Sequence, residues 1–363
     1  MKGLAVYLSE PLTDEAKDSI RQMRTIGFTS IFTSLHIPED DPSLYTERLR
    51  TLGQLAQQLE MELVADIAPT SLAALGKTWN DADTLTEWGV TGLRVDYGVT
   101  PKQVADLSKQ MMVALNASTL TAVELDAMKA EGLVLEQVEA WHNFYPRPET
   151  GLDRDWFNDK NRWLREQGIR VQAFIPGEGQ LRGPLHETLP TLEDHRGHSP
   201  FACYLELEAS VDRILIGDPG LSESSMRQFA AYQEGIIVLR VTGQGDDPLL
   251  TDDPLLTSIQ TNRMDPARDV IRSVESRAYG RPGNRWLEPA ILSDRPVGSV
   301  TIDNLRYGRY AGELQLTKRD LAPDERVNVI GRIIEADRAL LHQIGPSGRF
   351  RLEWVSSEGT ILS

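Results

Sequence analysis

The chain has 363 residues, 40% hydrophobic and 25% charged, an ordinary composition for soluble globular domains and enough length for more than one core. A formal net charge of -16 makes nucleic acid and anionic membrane poor candidate partners. The single cysteine, Cys203, excludes an intramolecular disulfide and fits a reducing compartment.

From the N-terminus, Met1 to Leu8 turns polar at Ser9 and Glu10, too early for a signal peptide. No apolar run reaches membrane-spanning length, so a cytoplasmic protein is expected. Short β-rich runs then alternate with helical patterns. Strands are predicted at Leu4–Leu8, Ser30–Leu35, Glu62–Ile67, Gly92–Tyr97, Met111–Asn116, part of Leu133–Asn143, Arg170–Ile175 and Asp212–Gly217. Thr13–Ile26 reads as a helix with Thr13 at its N-cap and Asp14 and Glu15 near its positive end. Tyr45–Glu60 repeats leucines at helical spacing, and Thr100-Pro101 opens another helix. Asp155–Gln167 and Ser222–Gln233 complete the series.

Eight strands, each followed by a helix or a helix-sized connection, predict an α/β fold built as a (β/α)8 TIM barrel over residues 1–235. An open doubly wound sheet is the structural alternative, but no Gly-x-Gly-x-x-Gly follows the first strand. After Gly243–Pro248 the pattern becomes β-rich, with runs at Val297–Ile302, Gly312–Thr317, Val327–Ile334 and Phe350–Val355. Residues 236–363 are therefore expected to form a smaller domain, a barrel or sandwich of antiparallel strands. Its basic residues are arginines apart from Lys318, and arginine suits carboxylate or phosphate.

In such barrels the active site lies at the C-terminal ends of the strands. The polar residues there include Glu10, His36, Asp66, Asp96, Asn116, His142, Asn143, Glu178 and Asp218. Alternation along Leu93-Arg94-Val95-Asp96 points Arg94 and Asp96 inward, and the parity of Leu63, Ala65 and Ile67 does the same for Asp66. An inward arginine needs a partner, which one or both aspartates would supply. Two inward carboxylates on adjacent strands, about 4.8 Å apart, suit the acid/base or nucleophilic work of a glycosidase pair. A buried Asp-Arg-Asp network that merely closes the barrel mouth is the structural alternative. The long stretch after the seventh strand brings Glu193, His195 and Arg196, which could reach substrate or belong to a helix starting at Thr191. Arg272, Arg277 and Asn304 sit in arginine-rich segments of the tail that could bind an anion. Histidines and carboxylates fall at no recognisable ligand spacing, so neither metal nor cofactor is expected.

The stretch Trp141 to Gly151 packs His142, Asn143, Tyr145, Arg147, Glu149 and Thr150 between two prolines and a closing glycine, a stiff loop suited to binding. His142-Asn143-Phe144-Tyr145-Pro146-Arg147-Pro148-Glu149-Thr150-Gly151-Leu152 resembles the signature of bacterial 6-phospho-N-acetylmuramidases. So do Phe32-Thr33-Ser34-Leu35-His36, Asp66-Ile67-Ala68-Pro69, Leu93 through Gly98, Leu115-Asn116-Ala117-Ser118, Gly183 through Arg196, and Tyr310 through Gln315. The resemblance implies a barrel followed by a cyclophilin-like β domain. It also implies cytoplasmic hydrolysis of a small phosphorylated amino-sugar disaccharide, 6-phospho-N-acetylmuramyl–N-acetylglucosamine, in cell-wall recycling. Asp66 and Asp96 would then be the catalytic pair. His142, Asn143, Tyr145, Glu193 and His195 would orient the sugar, and Arg272 and Arg277 would grip its phosphate or lactyl carboxylate. A phosphosugar isomerase or lyase, and a non-catalytic phosphosugar-binding protein, are the alternatives on the same barrel.

Overall fold

The computed structural model describes residues 1–35, 44–95, 97–243, 253–276 and 285–356. It contains two compact units, Met1–Met226 and Arg227–Ser363. In the first, eight strands close into a barrel: β1 (Lys2–Ala5), β2 (Phe28–Ser34), β3 (Glu62–Ile67), β4 (Gly92–Val95), β5 (Met112–Asn116), β6 (Val138–Trp141), β7 (Arg170–Ile175) and β8 (Arg213–Ile216). Every neighbouring pair is parallel, and β8 pairs back onto β1. This is the (β/α)8 barrel that the alternation of elements predicts.

The outer helices are α1 (Asp14–Thr25), α2 (Tyr45–Gln58), α3 (Pro69–Ala74), α4 (Pro101–Ser108), α5 (Ala122–Ala130), α6 (Arg154–Glu166), α7 (Pro200–Leu207) and α8 (Glu223–Tyr232), with a 3-10 segment at Trp79–Trp88. Local chemistry starts them. The Thr13 hydroxyl accepts the Ala16 N–H at 3.2 Å, and Thr100 forms a reciprocal cap with Gln103 ahead of Pro101. No helix starts at Thr191. Glu193–His195 is a single 3-10 turn, Gly197 takes a φ of 80°, and the chain restarts as α7 with Ser199 as cap and Pro200 in its first turn.

The barrel interior is filled from its walls. Ala5, Phe32, Val64, Ala114, Trp141, Phe174 and Leu215 form one buried cluster, with Tyr7, Met112 and Phe144 packed against it. Seven strands each give this cluster one residue. On β4 the corresponding inward place belongs to Arg94, in register with Asp66 of β3 and Ala114 of β5.

The N-terminal end of the barrel is sealed by an ionic plug. Arg213 donates through Nε and Nη2 to both oxygens of Glu139, at 2.9 and 3.0 Å, and through Nη1 to Glu62 and Ser30. The Trp141 indole N–H adds a bond to Glu139 at 2.8 Å. Burial opposes the Glu139 charge, but these donors hold its carboxyl below the usual carboxylate range.

The second unit is a seven-stranded sheet in the order β10-β15-β9-β14-β12-β13-β11. Its strands are β9 (Ile236–Gly243), β10 (Gln260–Thr261), β11 (Val270–Arg272), β12 (Ser299–Asp303), β13 (Leu314–Thr317), β14 (Val327–Ile333) and β15 (Arg349–Val355). The sequence leads to an all-antiparallel expectation, but β9 and β15 run parallel over seven residue pairs. β10 and β11 are too short for an alternation signal and are held by pairing to β15 and β13. Arg240 and Gln228 converge on the buried carboxylate of Asp337. Among the described residues no helix is long and apolar enough to cross a membrane.

Candidate active site

The inward parity of β3 and β4 brings a polar cluster to the C-terminal end of the barrel. Arg94 Nη1 donates to Asp66 Oδ1 at 2.9 Å, and Nη2 donates to the side-chain oxygen of Asn143, just past β6. The Ser34 hydroxyl donates to the other Asp66 oxygen at 3.3 Å. Arg94 is 5% exposed and Asp66 16%, so the carboxylate reaches the mouth while the guanidinium lies beneath it. Arg94 fixes Asp66 and Asn143 at once. Beneath the cluster, the buried rings of β2 and β7 carry Phe144 of the stretch after β6. Phe32, Phe144 and Phe174 meet edge to face, with centroids 5.1 to 6.5 Å apart.

The Trp141–Gly151 stretch is held by one carboxylate. Glu193 accepts the backbone N–H groups of Glu149 and Gly151 at 2.9 and 2.7 Å, and Arg196 Nε and Nη2 at 2.7 and 2.8 Å. Arg196 also donates to the carbonyls of Tyr145, Glu187 and Thr188. The hydrogen bonds from Arg196, and then those from the two amides, pull the Glu193 carboxyl down to about 2. Glycine at 151 is required by this approach, because a Cβ there would lie 2.6 Å from the Glu193 carboxylate. Glu149 is held at a φ of 70°. The Tyr145 N–H donates to Pro190, and Thr191 Oγ1 donates to the Asn143 carbonyl, so the loop after β7 and the loop after β6 are stitched together.

The structure therefore brings Asp66 and Asn143 each into direct contact with Arg94. Asn116 is buried at the end of β5, with its oxygen accepting the Ser118 N–H at 2.9 Å. Glu10 is exposed in the loop after β1, and Tyr145 is half-buried in the clamped stretch. Glu193 and Arg196 act as the clamp. His142 and His195 do not join the cluster. His142 lies on the outer face of β6, fully buried, bonded to Asn161 of α6 at 2.7 Å and packed on Phe157. Burial pushes its imidazole down to about 4. His195 is fully buried, 3.3 Å from Glu206 of α7, and burial pushes it to about 3. In the second unit both nitrogens of the Arg272 fork are engaged by Glu313, at 2.6 and 3.0 Å. Asn304 caps the turn at Leu305–Tyr310 and bonds to Asn328. His36, Asp96 and Arg277 lie outside the described residues.

Three further residues belong to the mouth. Ser34 and Tyr7 follow from the strand parity that selects Asp66. Arg182, in the stretch after β7, carries its guanidinium over the rings of Tyr7 and Phe144, and no sequence periodicity marks it. Burial pushes the Tyr7 hydroxyl up, so it stays protonated and donates to the Gly217 carbonyl at 2.6 Å. A carboxylate, an arginine-anchored amide and the half-buried rings of Tyr7 and Phe144 suit a sugar site, with polar groups for hydroxyls and a ring for the apolar sugar face.

Two family models match the chain in tandem: 6-phospho-N-acetylmuramidase, N-terminal, over residues 2–231, and 6-phospho-N-acetylmuramidase, C-terminal, over residues 238–353. Among solved structures, the chain is similar to a conserved protein of unknown function from Enterococcus faecalis, at 43% identity and a TM-score of 0.87, over 98% of this chain and 96% of that one. It also shares its fold with an uncharacterized B. cereus protein, at 24% identity and a TM-score of 0.70, over 97% and 98% of the two chains. No curated protein matches it.

Proposed function

The chain belongs to the 6-phospho-N-acetylmuramidase family, and from that premise we propose that it hydrolyses the glycosidic bond of 6-phospho-N-acetylmuramyl–N-acetylglucosamine. The observation that carries the reading is the inward Asp66 at the barrel mouth, fixed by Arg94 and Ser34. Both Asp66 oxygens already accept hydrogen bonds, which suits the group that faces the positive charge developing at the anomeric carbon. Asp96, which lies outside the described residues and which the sequence alternation alone expects to face inward, would then be the donor to the leaving oxygen. Asn143, oriented by Arg94, is in place to bond a sugar hydroxyl or the acetamido group. Phe144, only half-buried at the edge of the apolar cluster, offers a ring to the pyranose. The reaction needs water as its only co-substrate. Its setting would be the cytoplasm, in the recycling of cell-wall disaccharides.

The test is incubation of the purified protein with the phosphorylated and unphosphorylated disaccharides in the presence of EDTA, read by mass spectrometry. Cleavage confined to the phosphorylated sugar is expected. Cleavage of neither by folded protein would overturn the hydrolase and leave a lyase or a binding protein.

A further inference from the structure

One cation at the barrel mouth stands apart from its neighbours. Arg94 is bound by Asp66 and Asn143, Arg196 by Glu193, and Arg48 by the carbonyls of Leu8 and Ser9. Arg182 has its guanidinium carbon 4.2 Å from the centre of the Tyr7 ring and 5.8 Å from that of Phe144. Among the described residues its side chain makes no ion pair with a carboxylate, and the polar atom beside it is the Tyr7 hydroxyl. Asp218 is buried, and its oxygens accept the backbone N–H groups of Gly177, Leu189 and Arg182 itself.

The shelf beneath this cation is built firmly. Tyr7 is tied to Gly217 at the end of β8, and Phe144 stands edge-on to Phe174 of β7. At Gly177 a Cβ would come within 2.6 Å of Asp218, so the loops after β7 and β8 are packed against each other. A guanidinium resting on ring faces keeps its N–H donors at its edges, in a planar fork that matches a phosphate. The loops after strands seven and eight are also where barrels of this type often hold phosphate.

We propose that Arg182 grips the 6-phosphate of the muramyl sugar. The proposal rests on the phosphosugar reading above. It places the anion site on the barrel's own rim, whereas the fork of Arg272 is already filled by Glu313. The substrate carries two anions, the phosphate and the lactyl carboxylate, and single-anion sugars separate them.

The experiment is calorimetric binding of three sugars to the full-length protein and to two variants. N-acetylmuramic acid 6-phosphate carries both anions, N-acetylglucosamine 6-phosphate only the phosphate, and N-acetylmuramic acid only the carboxylate. Arg182→Gln is expected to weaken both phosphosugars by about 10- to 100-fold and to leave N-acetylmuramic acid within about twofold. Arg182→Lys keeps the charge without the fork, and its phosphosugar affinity falls in between. Unchanged phosphosugar affinity overturns the proposal, as does a loss confined to N-acetylmuramic acid. A wild-type protein with no preference for the phosphosugars overturns it too. If Arg182→Gln does not fold, Arg182→Lys carries the test, and wild-type affinity in that variant is the negative result. Turnover is not read here. Phosphosugar binding through Arg182 without cleavage would overturn the hydrolase and leave this site standing.

Discussion

His142 and Asn143 are consecutive residues at the end of β6 and lie on opposite sides of the barrel wall. Side chains alternate along a strand, so only one of two neighbours can face the lumen. The parity of Glu139 and Trp141, both inward, selects Asn143 and sends His142 under α6. Replacing His142 by Gln is therefore expected to leave KM for the disaccharide unchanged. It should alter the acid limb of stability instead. The folded state holds the imidazole neutral, with a value near 4 against an ordinary 6.5, so protonation favours unfolding. Stability from this residue is intact above pH 6.5, erodes as pH falls and is fully lost near pH 4. The Gln variant should show a flatter dependence of Tm on pH across that window, measured by calorimetry. The two aspartates separate by leaving group. Asp96→Asn should lose about 10²- to 10⁴-fold in kcat/KM on the disaccharide and recover on an aryl glycoside whose leaving group needs no proton. Asp66→Asn should lose on both, and equal recovery of the two variants would reverse the assignment. Asp66 and Arg94 were legible from parity alone. His142 was not, because a polar pair read as one motif conceals which member turns outward.

The clamped loop shows what a helix-sized gap can hide. Thr191 through Arg196 allows either a substrate-reaching segment or a capped helix start, yet it makes one 3-10 turn and lends Glu193 to a loop 42 residues away in sequence. Sequence periodicity reports contacts three or four residues apart and carries no trace of a bond at that range. Glu193→Ala is expected to speed hydrogen exchange at the amides of Glu149 and Gly151, and to lower stability by about 1–3 kcal/mol. In the wild type the clamp is fully charged above the ordinary 4.5 of a glutamate, and its contribution disappears as pH falls toward 2. The loop should therefore stay ordered at pH values where most surface ion pairs are lost.

Each unit of the molecule has its own apolar core and its own buried ionic knot, Arg213–Glu139 in the barrel and Arg240–Asp337 in the sheet. The two-part organisation was visible in the change from alternating to β-rich pattern and in the loss of lysine. The parallel β9–β15 pair was not, since strand direction is set by partners that lie more than a hundred residues apart. Arg213→Met leaves Glu139 buried without its main partner and should cost about 3–5 kcal/mol in a urea unfolding experiment. Pairing it with Glu139→Gln should recover part of that loss, because the stranded charge is gone.

The knot under the barrel also decides how the protein empties. With Arg213, Glu139 and Trp141 filling the lower end and the apolar cluster packed above them, the barrel has a closed floor beneath Asp66. A sugar bound at Asp66 has no back door, so the fragment lying deeper must wait until the one above it has diffused away. Departure is then sequential. The fragment that leaves last meets the empty site and should inhibit competitively against the disaccharide, whereas the fragment that leaves first should inhibit noncompetitively.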